Sequence, residues 1–208
     1  FGDYDVDGVC STSLTWKALS SLGASVMPFV PNRFTDGYGM KPKTVDAVLQ
    51  KYPDTKLIIS VDNGIVAHEA LSFAKEKGVD VIVTDHHEKN GEVDCFALIH
   101  TTKICGTGIA WFLVRELLEK GKADSFLDLV GLATIADQMP LINENRALVS
   151  WGLKEINETK NPGLQALLSV SNLQDRIVGV YEVGFVIAPR INAAGRISDA
   201  TEAVRLLC

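Results

Sequence analysis

Through the first hundred residues, short apolar runs rich in Val and Ile alternate with longer stretches in which apolar positions recur every three to four residues. The short runs predict buried strands: one ending near Asp5, then SVMPFV, KLIISVD, DVIVTD and FALIH. The longer stretches predict helices at about 8–22, 42–52, 65–77 and 107–120. Strands that alternate with helices in this way build a parallel sheet with crossover helices, so the predicted fold class is α/β. The loop PNRFTDGYGMK, with its proline and glycines, is predicted to be irregular. From about residue 124 the pattern turns almost wholly helical in SFLDLVGLATIAD, NRALVSWGLKEIN, PGLQALLSV and VYEVGFVIAPRINAAG, which is expected to pack over one side of the sheet. No repeat or flexible linker interrupts the chain. It divides into an α/β unit over residues 1–140 and a helical extension of the same core over 141–208.

The polar residues that close the strands change this picture from a fold to a site. DYDVDG places Asp3, Asp5 and Asp7 at alternate positions before Gly8; KLIISVDNG ends in Asp62; VDVIVTDHH ends in Asp85, His86 and His87. In an open parallel sheet, ligands bind outside the carboxyl ends of the strands, so neighbouring strands would bring these groups into one crevice. Taken singly, Asp62 or Asp85 is equally well read as a helix N-cap. As a set, carboxylates with neutral imidazole form a ligand group for a divalent cation, and with no thiolate beside them Mn²⁺ or Mg²⁺ suits it better than structural zinc. Asp137, at the end of the apolar segment GLATIAD, is expected to need a partner, and a cation would serve. A calcium loop also opens Asp-x-Asp-x-Asp-Gly, but its twelfth position must be Glu, and counting from Asp3 that position is Leu14.

Composition sets the outer limits. With 208 residues, 47% hydrophobic and 22% charged, the chain can bury a large core, and no apolar run approaches the length of a membrane span. A soluble, cytoplasmic protein is expected. Cys10, Cys95, Cys105 and Cys208 lack Cys-x-x-Cys spacing and read as reduced thiols. A net charge of -6 argues against coating nucleic acid through bulk positive charge, though it allows a local basic groove. The opening at a strand end and the close in TEAVRLLC are expected to continue into further chain on both sides.

The ordered segments DYDVDG, SVDNG, VTDHH and GLATIAD resemble the DHH phosphoesterase superfamily, and VPNRFTDGYG and APRINAAGR resemble its RecJ-type branch. The resemblance covers almost the whole chain, and the family's second domain, with its Gly-rich motif, is expected to lie outside the residues given. It implies a 5′ to 3′ exonuclease on single-stranded DNA, active in repair and recombination, with two Mn²⁺ or Mg²⁺ ions per site. Carried over by position, it makes Asp5, Asp7, Asp62, His86 and Asp137 cation ligands, with Asp62 between the ions. His87 joins the catalytic set, and Asp3, Asp85 and His87 are auxiliary. Relatives often carry a histidine where Phe1 stands, so one ion must draw on another group, with His86 the candidate.

Two such ions would acidify a water, polarise the phosphoryl group and offset the charge on the leaving oxygen, so the activated water is the expected nucleophile and 5′-mononucleotides the expected product. Arg33 and Arg196 are candidates for the 5′-terminal phosphate, with Asn192 beside them, and Tyr38 for stacking on a base or sugar. His68 and His100 are expected to be structural. A helicase or a single-strand-binding protein is the expected partner. Two other functions stay open: hydrolysis of short oligonucleotides or cyclic dinucleotides, and a non-catalytic DNA-binding scaffold.

Overall fold

Three of the predicted strands pair as expected in the computed structural model, which describes residues 1–197 and 199–208. β1 (Leu57–Val61), β2 (Asp80–Asp85) and β3 (Ala97–His100) form a parallel sheet in the order β1-β2-β3. The register sets Val61 opposite Thr84 and Asp85 opposite His100. Asp62, one residue past β1, therefore comes level with Asp85, and the ladder continues through Asp62 N–H to Thr84 C=O at 2.9 Å.

The other two predicted strands do not form. Residues 25–30 join no ladder. The opening residues make isolated bonds of ladder type: the Phe1 amine to Ile59 C=O at 2.7 Å, Val61 N–H to Phe1 C=O at 2.9 Å, and Gly2 N–H to Phe29 C=O at 3.0 Å. A strand needs a run of such bonds, and the backbone bends away at Tyr4 and Asp5.

Helices cover both faces. On one side α2 (Pro42–Lys51) and α3 (His68–Glu76) bury Val45, Ala70, Leu71 and Ala74 against Ile58, Val81 and Val83 of the sheet. On the other lie α1 (Val6–Ser21) and α4 (Gly106–Leu117). After a 3₁₀ turn come α5 (Leu127–Ala136), α6 (Asn143–Asn157), α7 (Pro162–Val170), α8 (Val180–Glu182), a π-helical turn (Val183–Ile187), α9 (Ala188–Ile197) and α10 (Thr201–Leu207). No helix among the described residues is long and apolar enough to cross a membrane.

The helical extension does not lie on the sheet as expected. α1 and α4 take that face, and α5 packs behind them, between α1 and α6. The reason lies in α1, which is buried continuously from Val6 to Thr15 with small side chains at Gly8, Cys10, Ser11 and Ser13. α5 is buried from Leu127 to Ile135, as a helix apolar all round must be. One core runs across residue 140, joining Val9, Leu14, Ile109 and Val130 to Leu148, Leu164, Ile187 and Val204.

α5 and α6 cross at two glycines. A Cβ at Gly152 would sit 2.5 Å from the Gly131 Cα and 2.6 Å from the Leu127 carbonyl oxygen, backbone atoms that cannot step aside. Gly152→Ala is therefore expected to cost about 1–3 kcal/mol by overpacking. Thermal melting checks it, and an unchanged midpoint would mean that the crossing is loose.

Candidate metal centre

Each carboxylate of DYDVDG meets a different fate. Asp3 is buried, with Oδ1 accepting from Tyr4 N–H at 2.7 Å; burial pushes its pKa up to about 6, helped by the Asp5 charge and opposed by that bond. Asp5 is the N-cap of α1, accepting from Gly8 N–H at 2.9 Å, so the capping role considered for Asp62 and Asp85 belongs here. Asp7 points into the first turn of α4: Oδ2 accepts from Gly106 N–H and Oδ1 from Thr107 N–H, each at 2.7 Å.

Asp62 is the most constrained group. Its backbone sits at φ 55°, in the left-handed region, and its side chain is buried with Oδ1 lacking any hydrogen-bond partner. Burial, then the charges of Asp7, Asp5, Asp3 and Asp85, drive its pKa well above the usual carboxylate range. An unpaired buried carboxyl oxygen is expensive, and in a native site it marks a place where a cation or donor is expected.

Asp85 has no such vacancy. Its Oδ1 accepts from the backbone of His86 (2.7 Å) and His87 (3.2 Å) and lies 2.7 Å from His87 Nδ1, while Oδ2 accepts from Ile65 N–H at 2.8 Å. Burial opposes its charge, but the bonds from His87 and Ile65 outweigh burial and hold its pKa low. Asp85 therefore orients the loop and holds the His87 ring with Nε2 outward, 3.5 Å from the Tyr38 hydroxyl. The same hydrogen bond raises the His87 pKa.

His86 is the hub. Its Nε2 lies 3.2 Å from Asp62 Oδ1, 3.7 Å from Asp7 Oδ2 and 3.8 Å from Asp137 Oδ2. Burial lowers its pKa against the pull of Asp7, which favours the neutral imidazole that binds metals. Asp137 caps the C-terminus of α5, and burial, then Asp7 and Asp5, raise its pKa to about 7. Among the described residues, two overlapping donor groups each keep their ligand atoms within 4.8 Å of one another: Asp62, His86 and His87; and Asp7, His86 and Asp137. Asp5 stands outside both; its Oδ1 caps α1, and its charge reaches Asp62 and Asp137. Cys105 Sγ is turned toward Thr134 Oγ1 at 3.4 Å and joins neither.

The other predicted residues gather around the rim. Arg33 lies over the Tyr4 ring at 5.3 Å, and Tyr4 meets Tyr38 edge-on at 6.2 Å. Asn63 anchors this loop beside Asp62 by accepting from Met40 N–H at 3.1 Å. Asn192 accepts from Val6 N–H at 3.0 Å and so supports the start of α1. α9 approaches Tyr4 so closely at Gly195 that a Cβ there would meet the Tyr4 carbonyl at 2.6 Å, and Arg196, the next residue, is exposed. His68 pairs with Asn90 and His100 with the His87 carbonyl, as structural histidines do. Phe1 packs against Phe29, ring centroids 5.1 Å apart.

Gly106 and Thr107 are the residues that sequence reasoning missed. The string GTG after Cys105 was visible, but nothing in its spacing tied it to Asp7.

The model of the DHH family, N-terminal domain, matches residues 1–134. The single-stranded-DNA-specific exonuclease RecJ of Bacillus subtilis (strain 168) is 40% identical over 100% of this chain and 27% of its own length. A crystal structure of exonuclease RecJ bound to manganese aligns with TM-score 0.89 and 38% identity, over 99% of this chain and 55% of that one. RecJ from Thermus thermophilus in complex with Mn²⁺ aligns with TM-score 0.85 and 36% identity, over 99% and 31%. The chain thus spans about a quarter of the length of the Bacillus subtilis relative.

Proposed function

The chain belongs to the DHH family, and from that premise we propose that it is the cation-binding core of a nuclease that shortens single-stranded DNA from its 5′ end. The observation that carries the proposal is Asp62, a buried carboxylate with an unpaired oxygen 3.2 Å from His86 Nε2 and ringed by further carboxylates. The proposal takes residues 1–140 as the cation-binding unit and 141–208 as its helical extension.

The donor chemistry fits Mn²⁺ or Mg²⁺: carboxylate oxygens and neutral imidazole, with no thiolate. Asp5, Asp7, Asp62, His86 and Asp137 would hold two ions, with His87 beside them. His86 would offer the lone pair at Nε2 to one of them, and Asp62 would offer the Oδ1 that lacks a hydrogen bond. Bound ions of this kind supply a more acidic water, a polarised phosphoryl group and positive charge at the leaving oxygen.

The chain's own residues would do the rest. Asp85 keeps His87 turned outward, and the raised pKa of that ring favours an imidazolium able to donate from Nε2 to a phosphate oxygen. Arg33 and Arg196 would take the 5′-terminal phosphate, with Tyr38 and Asn192 beside the sugar and base. Asp5 would take part through Oδ2 while Oδ1 caps α1. Single strands uncovered by a helicase or carried by a single-strand-binding protein are the proposed substrate source, in the cytoplasm.

The test is to incubate the protein with Mn²⁺ and single-stranded DNA labelled at its 3′ end, beside a cyclic dinucleotide and an Asp62→Asn variant. Progressive shortening from the 5′ end, lost in the variant, is expected. Cleavage of the dinucleotide alone would replace the exonuclease with a small-substrate phosphodiesterase, and binding without cleavage would favour a scaffold.

A further inference from the structure

Asp7 and Asp62 reach the centre from different elements, yet one dipeptide touches both. Gly106 N–H and Thr107 N–H each donate to Asp7 at 2.7 Å, and Thr107 Oγ1 donates to the Asp7 backbone carbonyl at 2.9 Å. On the other side of Gly106, an added Cβ would lie 2.5 Å from Asp62 Cβ, 2.6 Å from its Oδ1 and 2.8 Å from its Cα. We propose that Gly106 and Thr107 are positioning residues that set the separation of Asp7 and Asp62, and thereby the cation occupancy of the centre, without touching cation or DNA. This rests on the two-cation centre proposed above.

Capping alone does not account for the arrangement. The first N–H groups of a helix lack partners within it, and Cys105 at the N-cap of α4 supplies no side-chain bond, so Asp7 does satisfy them. A cap, however, needs no glycine, and glycine inside a helix is unfavourable. Its use here follows from Asp62, whose left-handed backbone brings the carboxyl group against the Gly106 Cα.

Asp7 is held without being used up. A carboxylate offers about four lone-pair sites, and the two N–H groups take one on each oxygen. Oδ2 keeps capacity toward His86 and Asp137, the groups with which it forms a three-donor cluster. Asp62 is held by contact instead: with no hydrogen bond to Oδ1, the surface of Gly106 bounds where that oxygen can go. One glycine thus fixes the first carboxylate by donation and the second by the space that it leaves.

The experiment measures Mn²⁺ affinity and stoichiometry without DNA, from the electron paramagnetic resonance signal of the free ion, for the parent, Gly106→Ala, Thr107→Val and Thr107→Ser. Metal-free melting is followed in parallel, with kcat and KM on single-stranded DNA. Gly106→Ala is expected to weaken Mn²⁺ binding by about 10–100-fold or to lose one ion, and Thr107→Val by about 10-fold. Thr107→Ser should restore the parental values, and kcat should fall with KM nearly constant. Folded variants that bind Mn²⁺ within about twofold of the parent would overturn the proposal, as would a serine variant as weak as the valine one. If Gly106→Ala does not fold, the valine–serine comparison decides. A parent that binds Mn²⁺ yet leaves DNA intact would sink the nuclease and spare the positioning role; a parent that binds no Mn²⁺ would remove both.

Discussion

Asp62→Asn is expected to lower Mn²⁺-dependent cleavage of single-stranded DNA by about 10²–10³-fold or more, the range for removing one preorganised charged or polar group that stabilises a transition state. Asparagine is the informative replacement. Asp62 sits at φ 55°, which Asn tolerates far better than Ala, so the substitution removes charge without adding backbone strain. The metal-free variant should also melt no lower than the parent near pH 8. There the parent must keep a carboxyl whose ionisation is opposed by burial and by Asp7, Asp5, Asp3 and Asp85, whereas the amide carries no charge. Lost cleavage with undiminished melting would separate chemistry from folding. Retained cleavage would remove Asp62 from the centre.

The second large effect is a reversal of pH dependence by metal. A carboxyl whose folded pKa lies above its unfolded value, near 3.9, binds its proton more tightly in the folded chain. Its contribution is complete below the unfolded value and is lost as pH rises through the folded one. Burial raises Asp3 to about 6 and Asp137 to about 7, and it raises Asp62 as well, so the window runs from about pH 4 to beyond 7. Asp3, almost fully buried, alone contributes on the order of 3 kcal/mol.

His86 opposes this trend, since a buried imidazole with a lowered pKa gains stability as pH rises. The buried Phe1 amine, its pKa lowered to about 5, opposes it too, so two groups stand against the raised carboxyls of Asp3, Asp5, Asp62, Asp128 and Asp137. The low pKa of Asp85 matters only as pH falls below the ordinary carboxylate range. Metal-free protein is therefore expected to melt higher near pH 5 than near pH 8. Saturating Mn²⁺ should invert the order, because its ligands must be ionised, and at a hundred times the dissociation constant it adds about 2.7 kcal/mol. Melting curves with chelator and with Mn²⁺ at both pH values check this. Metal-free melting that rises from pH 5 to pH 8 would contradict the pKa shifts.

Much of this site was legible because parallel sheets bring strand ends together. Asp62 and Asp85 each follow an apolar run, so the register of β1 on β2 was enough to make them neighbours. His86 and His87 came with Asp85. Asp137 was visible as a carboxylate closing a helix otherwise almost wholly buried. Less was legible where function depended on which lone pair was already taken. Asp3, Asp5 and Asp7 look equivalent in DYDVDG, yet one is buried under its own loop, one caps α1 and one is clasped by α4. The strands expected at 25–30 and at the opening failed for a related reason, since apolar alternation marks a segment fit for a sheet without showing that a complete ladder exists beside it.

By itself the sequence determined the α/β order, the parallel sheet and the carboxylates and imidazoles that close its strands, because period and strand-end polarity are local properties of the chain. Only the tertiary structure decided which carboxylate remains unpaired, that α5 lies behind α1 rather than on the sheet, and that Gly106 stands between Asp7 and Asp62. Those facts depend on hydrogen bonds and contacts between residues as far apart as Asp7 and Thr107, and no local pattern in the chain records them.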